Sequence, residues 1–102
     1  MALPVVYRPK VGRDLAGGFG YYEGQTEGLG EQFLAAVDSA FDAIERYPEM
    51  FARVHGEVRR ALVSRFPYAV FYRVESKRVV VLTVLDTARD PKLWPQPRKT
   101  AR

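Results

Sequence analysis

Apolar residues in the second half of the chain fall into three short runs that follow one another closely. The runs are rich in Val, Phe and Tyr, residue types that fit a pleated and half-buried backbone, and they cover Ala61–Phe66, Tyr68–Glu75 and Arg78–Asp86. Pro67 cannot donate to a strand ladder, and Ser76-Lys77 is a polar turn of hairpin length. The pattern therefore predicts three consecutive strands joined as an antiparallel meander.

The first half of the chain has helical spacing after one short strand candidate, Pro4–Arg8. Apolar residues in Lys10–Gln25 recur every three or four positions, as one stripe of a helix does; they are Val11, Leu15, Phe19 and Tyr22. Glycines in the second half of the same helix are each about 1 kcal/mol less favourable than alanine; they are Gly17, Gly18, Gly20 and Gly24. The glycines either allow a second helix to approach closely or leave a loosely held helix that a partner can reorganise. We prefer the first explanation, because a missing side chain is a common solution to packing.

A second amphipathic helix follows a turn at Thr26–Gly28. It is predicted to begin at Leu29 or Gly30 and to end at Tyr47, and its apolar positions again lie three or four residues apart. The next segment, Pro48–Glu57, begins with a helix-breaking proline and is predicted to be a connecting loop.

The predicted element order is β-α-α-β-β-β, an α+β fold in which a helical hairpin covers one face of a small sheet. The first strand is expected to join the meander at an edge. A length of 102 residues and 47% hydrophobic content suit one compact domain. We place that domain at residues 1–91 and a proline-rich, basic tail, extended and partly mobile, at residues 92–102.

Charge is divided unevenly between the two halves of the chain. Residues 1–51 carry four basic and eight acidic groups, a net charge of −4, whereas residues 52–102 carry twelve basic and four acidic groups, a net charge of +8. Basic surfaces can serve solubility alone, but a split of this size favours an acidic or polyanionic partner for the second half.

Composition narrows the range of possible chemistry. The chain has no cysteine, which excludes disulfides and thiolate metal sites and fits a reducing cytoplasm, where we expect the protein to reside. No apolar run approaches the roughly 18–20 residues that cross a bilayer, so no membrane association is expected. No metal-ligand spacing and no phosphate-binding glycine loop between a strand and a helix is present, so neither a metal nor a cofactor is predicted.

Few side chains suit proton transfer. His55 is the only histidine and lies in the predicted connecting loop. A histidine in a loop is more often a solvent-exposed side chain without a catalytic role than a catalytic residue. Glu23 follows Tyr21 and Tyr22, and we interpret the tyrosines as caps of the core and the carboxylate as solvated. No catalytic residue is predicted.

Each of the three predicted strands contains an arginine, and two more arginines directly precede the first of them. Alternation divides the middle strand into two faces. Those faces hold Val70, Tyr72 and Val74 on one side and Ala69, Phe71 and Arg73 on the other. Arg73 can pair with Glu75 or Asp86 at the border of the core. Arg59, Arg60 and Arg65 can either bind a partner or keep a sheet edge from pairing with other chains.

Several strings in this order resemble the RelE/ParE superfamily of toxins from bacterial type II toxin–antitoxin systems. The resemblance covers nearly the whole chain and is carried by Tyr21-Tyr22-Glu23, Gly28-Leu29-Gly30 with Phe33, Arg59-Arg60-Ala61-Leu62, Phe66–Val74 and Ala88-Arg89-Asp90-Pro91 with Trp94. It implies a helical hairpin packed on a small twisted antiparallel sheet, which agrees with the element order predicted from the pattern.

The resemblance implies one of two activities. RelE-like members cut mRNA in the ribosome, whereas ParE-like members bind and poison DNA gyrase. RelE-like nucleases carry a lysine and arginine cluster on the sheet and an aromatic residue or histidine near the end of the last strand, where this chain has Leu85-Asp86-Thr87. We therefore favour a ParE-like inhibitor of DNA gyrase that acts by stoichiometric binding. The alternatives are a ribosome-dependent mRNA endonuclease and a toxin-fold protein that has lost activity and survives as an interaction partner.

The resemblance also implies a cognate antitoxin whose C-terminal segment wraps the toxin, as a helix in a groove or a strand on a sheet edge. The candidate residues for binding the target or the antitoxin are Arg59, Arg60, Arg65, Arg73, Arg89 and Trp94.

Overall fold

The computed structural model describes residues 3–88 and 90–95. Its elements, in chain order, are β1 (Val5–Tyr7), α1 (Pro9–Gln25), α2 (Leu29–Arg46), β2 (Arg53–His55), β3 (Val58–Leu62), β4 (Tyr68–Val74), β5 (Val79–Asp86) and a 3-10 turn at Pro91–Leu93. The α+β architecture and the positions of both helices agree with the sequence prediction. None of the helices in these ranges has the length and apolar content needed to span a membrane.

The two helices form an antiparallel hairpin that is closed by a carboxylate. Gly28 adopts φ 89°, a left-handed conformation that glycine reaches without strain, and it starts α2. Glu23 accepts hydrogen bonds at 2.9 Å from the backbone N–H groups of Gly28 and Gly30. The prediction of a solvated Glu23 is therefore wrong, because its carboxylate satisfies N–H groups at the start of α2 that have no partner within the helix.

The glycines of α1 differ in their surroundings. A Cβ atom added at Gly18 would lie 2.5 Å from the ring of Phe33 on α2, and Phe33 is fully buried. At Gly17, Gly20 and Gly24 an added Cβ would meet nothing within 4 Å. The predicted role in close helix packing is confirmed at Gly18 alone.

The five strands form one mixed sheet in the order β1-β5-β4-β3-β2. β1 pairs in parallel with β5, with Val5 opposite Val79 and Tyr7 opposite Val81, and the other neighbours are antiparallel. The predicted edge position of the first strand is confirmed, but the sheet is not purely antiparallel. Because most of the chain separates β1 from β5, no hairpin turn dictates the direction of this pair.

The second half of the predicted loop Pro48–Glu57 is instead the edge strand β2. Arg53 lies opposite Arg59 and His55 lies opposite Val58, with an irregularity between the two pairs. A three-residue strand with two polar side chains has no apolar alternation, and its pairing depends on the backbone of β3. Such a strand leaves no pattern in the sequence.

β3 begins and ends earlier than the predicted strand Ala61–Phe66. Gly56 adopts φ 58° in the turn that precedes β3, and Arg65 adopts φ 70° in the turn that follows it. The N–H of Val63 donates to the carbonyl of Tyr68 at 2.9 Å, which closes the hairpin between β3 and β4.

Each face of the sheet has its own apolar cluster. The face under the helices holds the main core, which includes Phe33, Ile44, Val70 and Tyr72. The opposite face, called here the open face, carries a small buried cluster of Val58, Ala69 and Phe71 against which Trp94 packs. The predicted alternation of β4 is confirmed.

A β-bulge in β5 links the sheet to α1. The register shifts between Phe71, opposite Thr83, and Tyr72, opposite Val81, so β5 has one extra residue there. The N–H of Val84 donates at 2.9 Å to the carboxylate of Asp14 on α1, and the Thr83 hydroxyl donates to the same oxygen. Asp14 thus accepts the hydrogen bonds that the bulge donates, on the part of the β5 edge that β1 does not cover.

Candidate functional site

The open face presents an arginine stacked on an aromatic pair. The guanidinium carbon of Arg60 lies 5.3 Å from the ring centroid of Trp94. The Trp94 ring in turn lies 5.2 Å from that of Phe71, at an interplanar angle of 45°. Arg60 and Phe71 are direct cross-strand partners. The cation–π contact and the ring packing hold the guanidinium against the sheet, where it is available to a partner.

Arg73, also on the open face, forms ion pairs with carboxylates. Its residue surface is only 6% exposed, and its Nε lies 2.9 Å from Glu75 and 4.0 Å from Glu57. Arg78 binds Glu75 from the other side at 2.8 Å. Hydrogen bonds from Arg78 and Arg73 lower the pKa of Glu75 to about 2. Of the two partners predicted for Arg73, the structure has Glu75, so this arginine is locally neutralised.

Arg59 lies across from Tyr72 and therefore shares the face that the helices cover. Its guanidinium donates to the backbone carbonyls of Phe51 at 2.6 Å and Glu49 at 3.2 Å. The Tyr72 hydroxyl donates to the carbonyl of Pro48 at 2.6 Å. Burial raises the pKa of Tyr72 to about 12, and the charge of Arg59 acts in the opposite direction. Together the two side chains fasten the segment after α2 to the sheet.

Two further binding candidates from the sequence are Arg65 and Arg89. Arg65 is exposed in the turn between β3 and β4. Arg89 lies outside the described residues. The structure thus brings together Arg60, Arg73 and Trp94 on the open face and places Arg59 on the other side of the sheet.

Sequence reasoning missed a second basic region, at the start of α1. Arg8, Lys10 and Arg13 line a groove together with Arg73, and its other lining residues are Pro9, Leu82 and Pro95. The signal was present in the sequence, because the first turn of a helix normally favours acidic residues, and this one has none.

The end of β5 is occupied by structural hydrogen bonds. The backbone N–H of Thr87 donates to the carbonyl of Pro67 at 2.7 Å, and Asp86 accepts from the N–H of Ala88 at 2.7 Å. His55 is exposed on the edge strand β2. Within residues 3–88 and 90–95, no cluster of three or more acidic or histidine side chains is arranged to hold a metal ion. Arg60, Trp94 and Phe71 form a cationic and aromatic surface of a kind that suits binding.

Comparison with known proteins identifies the family. A solved structure described as "Chromosomal ParDE TA system from P. aeruginosa" is similar to this chain with a TM-score of 0.69 and 16% sequence identity, covering 80% of this chain and 92% of that one. At that identity the likeness establishes the fold. No curated protein sequence matches the chain. A family model described as the ParE toxin of the type II toxin-antitoxin system parDE matches residues 5–91. Because this match spans most of the chain, the protein belongs to the ParE toxin family of type II toxin–antitoxin systems.

Proposed function

We propose that this toxin acts on DNA gyrase by stoichiometric binding and that a cognate antitoxin neutralises it. Membership of the ParE family gives the class of activity. The observation that carries the proposal for this chain is the position of Arg60, which Trp94 holds on the face of the sheet that the helices leave uncovered.

The arrangement suits a binding function. Arginine and tryptophan are the residue types that dominate the energy of protein interfaces, and here they are packed together before any partner arrives. A side chain that is already ordered loses less conformational entropy on binding. The patch can therefore supply affinity without chemistry of its own.

The direct test is a gyrase cleavage assay with the purified toxin, plasmid DNA and ATP. We expect linear DNA after detergent and protease treatment, in an amount that depends on the ratio of toxin to gyrase, and we expect added antitoxin to abolish it. If gyrase is unaffected, the gyrase proposal is wrong. The next experiment is then mRNA cleavage in a translation extract, which tests the alternative activity.

Charge reversal at Arg60 tests the role of the patch. We expect Arg60→Glu to lose gyrase poisoning, because the carboxylate removes the cation that the Trp94 ring positions. Lys77→Glu is the matched control, since Lys77 is exposed in the turn between β4 and β5. Circular dichroism and thermal unfolding check that both variants are folded. Full poisoning by a folded Arg60→Glu variant would exclude the patch as the gyrase-binding surface.

A further inference from the structure

Three side chains reach solvent in one short stretch at the end of β3 and in the turn after it. Arg60 is half-buried, and Leu62 and Arg65 are exposed. Arg60 and Leu62 both lie on the open face, opposite Phe71 and Ala69, and two residues of a strand span roughly 7 Å. Arg65 follows Leu62 by three residues, which limits the distance between their Cα atoms to about 11 Å. We call Arg60, Leu62 and Arg65 the β3 corner.

Leu62 is left uncovered by the strands on both sides. It is 62% exposed, more than any other large apolar side chain among the described residues. Its cross-strand partner, Ala69, has a side chain too small to cover a leucine. On the other side, β2 follows β3 only as far as Arg60, whose N–H donates to the carbonyl of Ala52 at 3.2 Å. Leu62 therefore extends the apolar surface of the open face to a corner where a partner can cover it.

Arg65 holds a strained backbone conformation. Its φ of 70° lies in the left-handed region, which glycine adopts freely and a residue with a Cβ atom adopts at a cost. No carboxylate within residues 3–88 and 90–95 forms an ion pair with Arg65 that could offset this cost. Strained residues are concentrated at sites where a side chain has a function. The turn therefore indicates a role for the Arg65 side chain outside the fold.

The composition of the β3 corner suits a protein partner. Arg60, like Arg65, forms no ion pair with a carboxylate of the described ranges, so two cations flank one leucine along the chain. The phosphates of DNA would attract both arginines but gain nothing from an exposed leucine. A protein surface that has a carboxylate beside an apolar side chain complements the charge and the apolar surface together.

We propose that Leu62 and Arg65 extend the Arg60 and Trp94 patch and set its affinity for gyrase. An apolar side chain of gyrase covers Leu62, and a carboxylate of gyrase pairs with Arg65. This inference rests on the proposed function, since it takes gyrase as the partner. It adds to that function one apolar contact and one charge pair.

The test measures the toxin concentration that gives half-maximal linear DNA with gyrase holoenzyme, plasmid and ATP. We expect Leu62→Ser to raise this concentration about fivefold, because an apolar contact is lost. Arg65→Gly should raise it at least about tenfold at low salt, because a charge pair is lost. The effect of Arg65→Gly should shrink as salt is raised, whereas that of Leu62→Ser should not. Arg65→Lys keeps the charge and should recover most of the loss.

Urea denaturation separates a binding role of Arg65 from a structural one. Glycine adopts a φ of 70° without strain, so Arg65→Gly should unfold at the same urea concentration as the wild type or at a higher one. A purely structural role predicts instead that poisoning and stability are lost together. A fall in stability that accompanies the loss of poisoning would therefore overturn the inference.

Two variants outside the β3 corner serve as matched controls. Met50→Ser changes an apolar side chain that is 60% exposed, and Lys77→Gly removes a charge from the turn between β4 and β5. Both should poison gyrase as the wild type does. Undiminished poisoning by folded Leu62→Ser and Arg65→Gly variants, or equal losses in the controls, would overturn the inference.

Titration of a fluorescently labelled DNA duplex with the toxin alone tests the competing partner. Binding by the wild type that Arg65→Gly abolishes would make DNA the ligand of Arg65 and overturn the inference. Failure of the proposed function is seen separately, because it requires only the wild type. If wild-type toxin does not poison gyrase, the proposed function is wrong, and the inference falls with it.

Discussion

At the scale of single residues, two glycines of α1 differ in whether the fold has room for a side chain at their position. The ring of Phe33 occupies the space where a side chain at Gly18 would lie, and Phe33 cannot move away because it is fully buried. Gly20 faces open space and has a negative φ. Packing against Phe33 therefore decides the effect of a side chain at position 18, whereas helix propensity decides it at position 20, about half a turn away.

We predict that Gly18→Ala lowers the free energy of unfolding by about 1–3 kcal/mol, because the new methyl group overpacks the helix interface. Gly20→Ala should raise it by up to about 1 kcal/mol, because alanine favours the helix and loses less entropy on folding. Urea denaturation of the two variants and the wild type measures both effects. Equal effects of the two substitutions would contradict the close contact between Gly18 and Phe33.

At the scale of elements, the bulge in β5 depends on one carboxylate from another element. Asp14 accepts from Val84 N–H and from the Thr83 hydroxyl, and it pairs with Lys10. Its side chain is only 12% exposed. The contact between α1 and the sheet is therefore polar at this point.

Replacing Asp14 by alanine should lower the free energy of unfolding by about 2–4 kcal/mol, because a buried N–H and a buried hydroxyl lose their acceptor together. Asp14→Asn keeps one acceptor oxygen and should cost less. Hydrogen exchange at the Val84 amide provides a second measurement, and it should accelerate in the alanine variant more than at Val70. An unchanged exchange rate at Val84 would show that Asp14 does not protect the bulge.

The elements that the sequence predicts well are the long and periodic ones. Both helices appear within one or two residues of their predicted limits, because each shows several turns of regular apolar spacing. β2 and the parallel pairing of β1 were not predicted, since both depend on backbone contacts with distant strands. The bulge at Thr83 escaped prediction for the same reason.

The candidate site was predictable in composition but not in arrangement. Arg60 and Trp94 were both named from the sequence, yet their contact depends on the chain crossing the open face. Arg59 and Arg60 point to opposite faces, and placing the start of the strand at Ala61 left both outside it. A strand assigns neighbouring side chains to different faces, so its register decides which arginine can meet a partner.

At the scale of the whole molecule, a single tryptophan holds the C-terminal segment onto the sheet. Trp94 covers Phe71 and its neighbours on the face of the sheet opposite α1 and α2. Residues 92–95, predicted to be part of an extended tail, begin within the 3-10 turn Pro91–Leu93, and residues 96–102 lie outside the described residues. The boundary of the domain at residue 91 stays a prediction.

We expect Trp94→Ala to lower the free energy of unfolding by about 2 kcal/mol, because it uncovers apolar surface at Phe71. In the wild type, the fluorescence of this only tryptophan and the circular dichroism signal should change together on denaturation. Trp94→Phe keeps an aromatic ring on the open face and should recover most of the loss. A fluorescence transition that precedes the loss of helix would show that the segment detaches separately.

The parallel pairing of β1 with β5 has a consequence for the order of biosynthesis. Among the described strands, Val5–Tyr7 is synthesised before the other four, and its partner, residues 79–81 of β5, belongs to the strand that is synthesised last. The helical hairpin can form early from neighbouring segments, but the sheet cannot be completed until the meander has been synthesised. A nascent chain therefore lacks its finished binding surfaces until β5 has been synthesised, and a truncated product that stops before Val79 cannot assemble them at all.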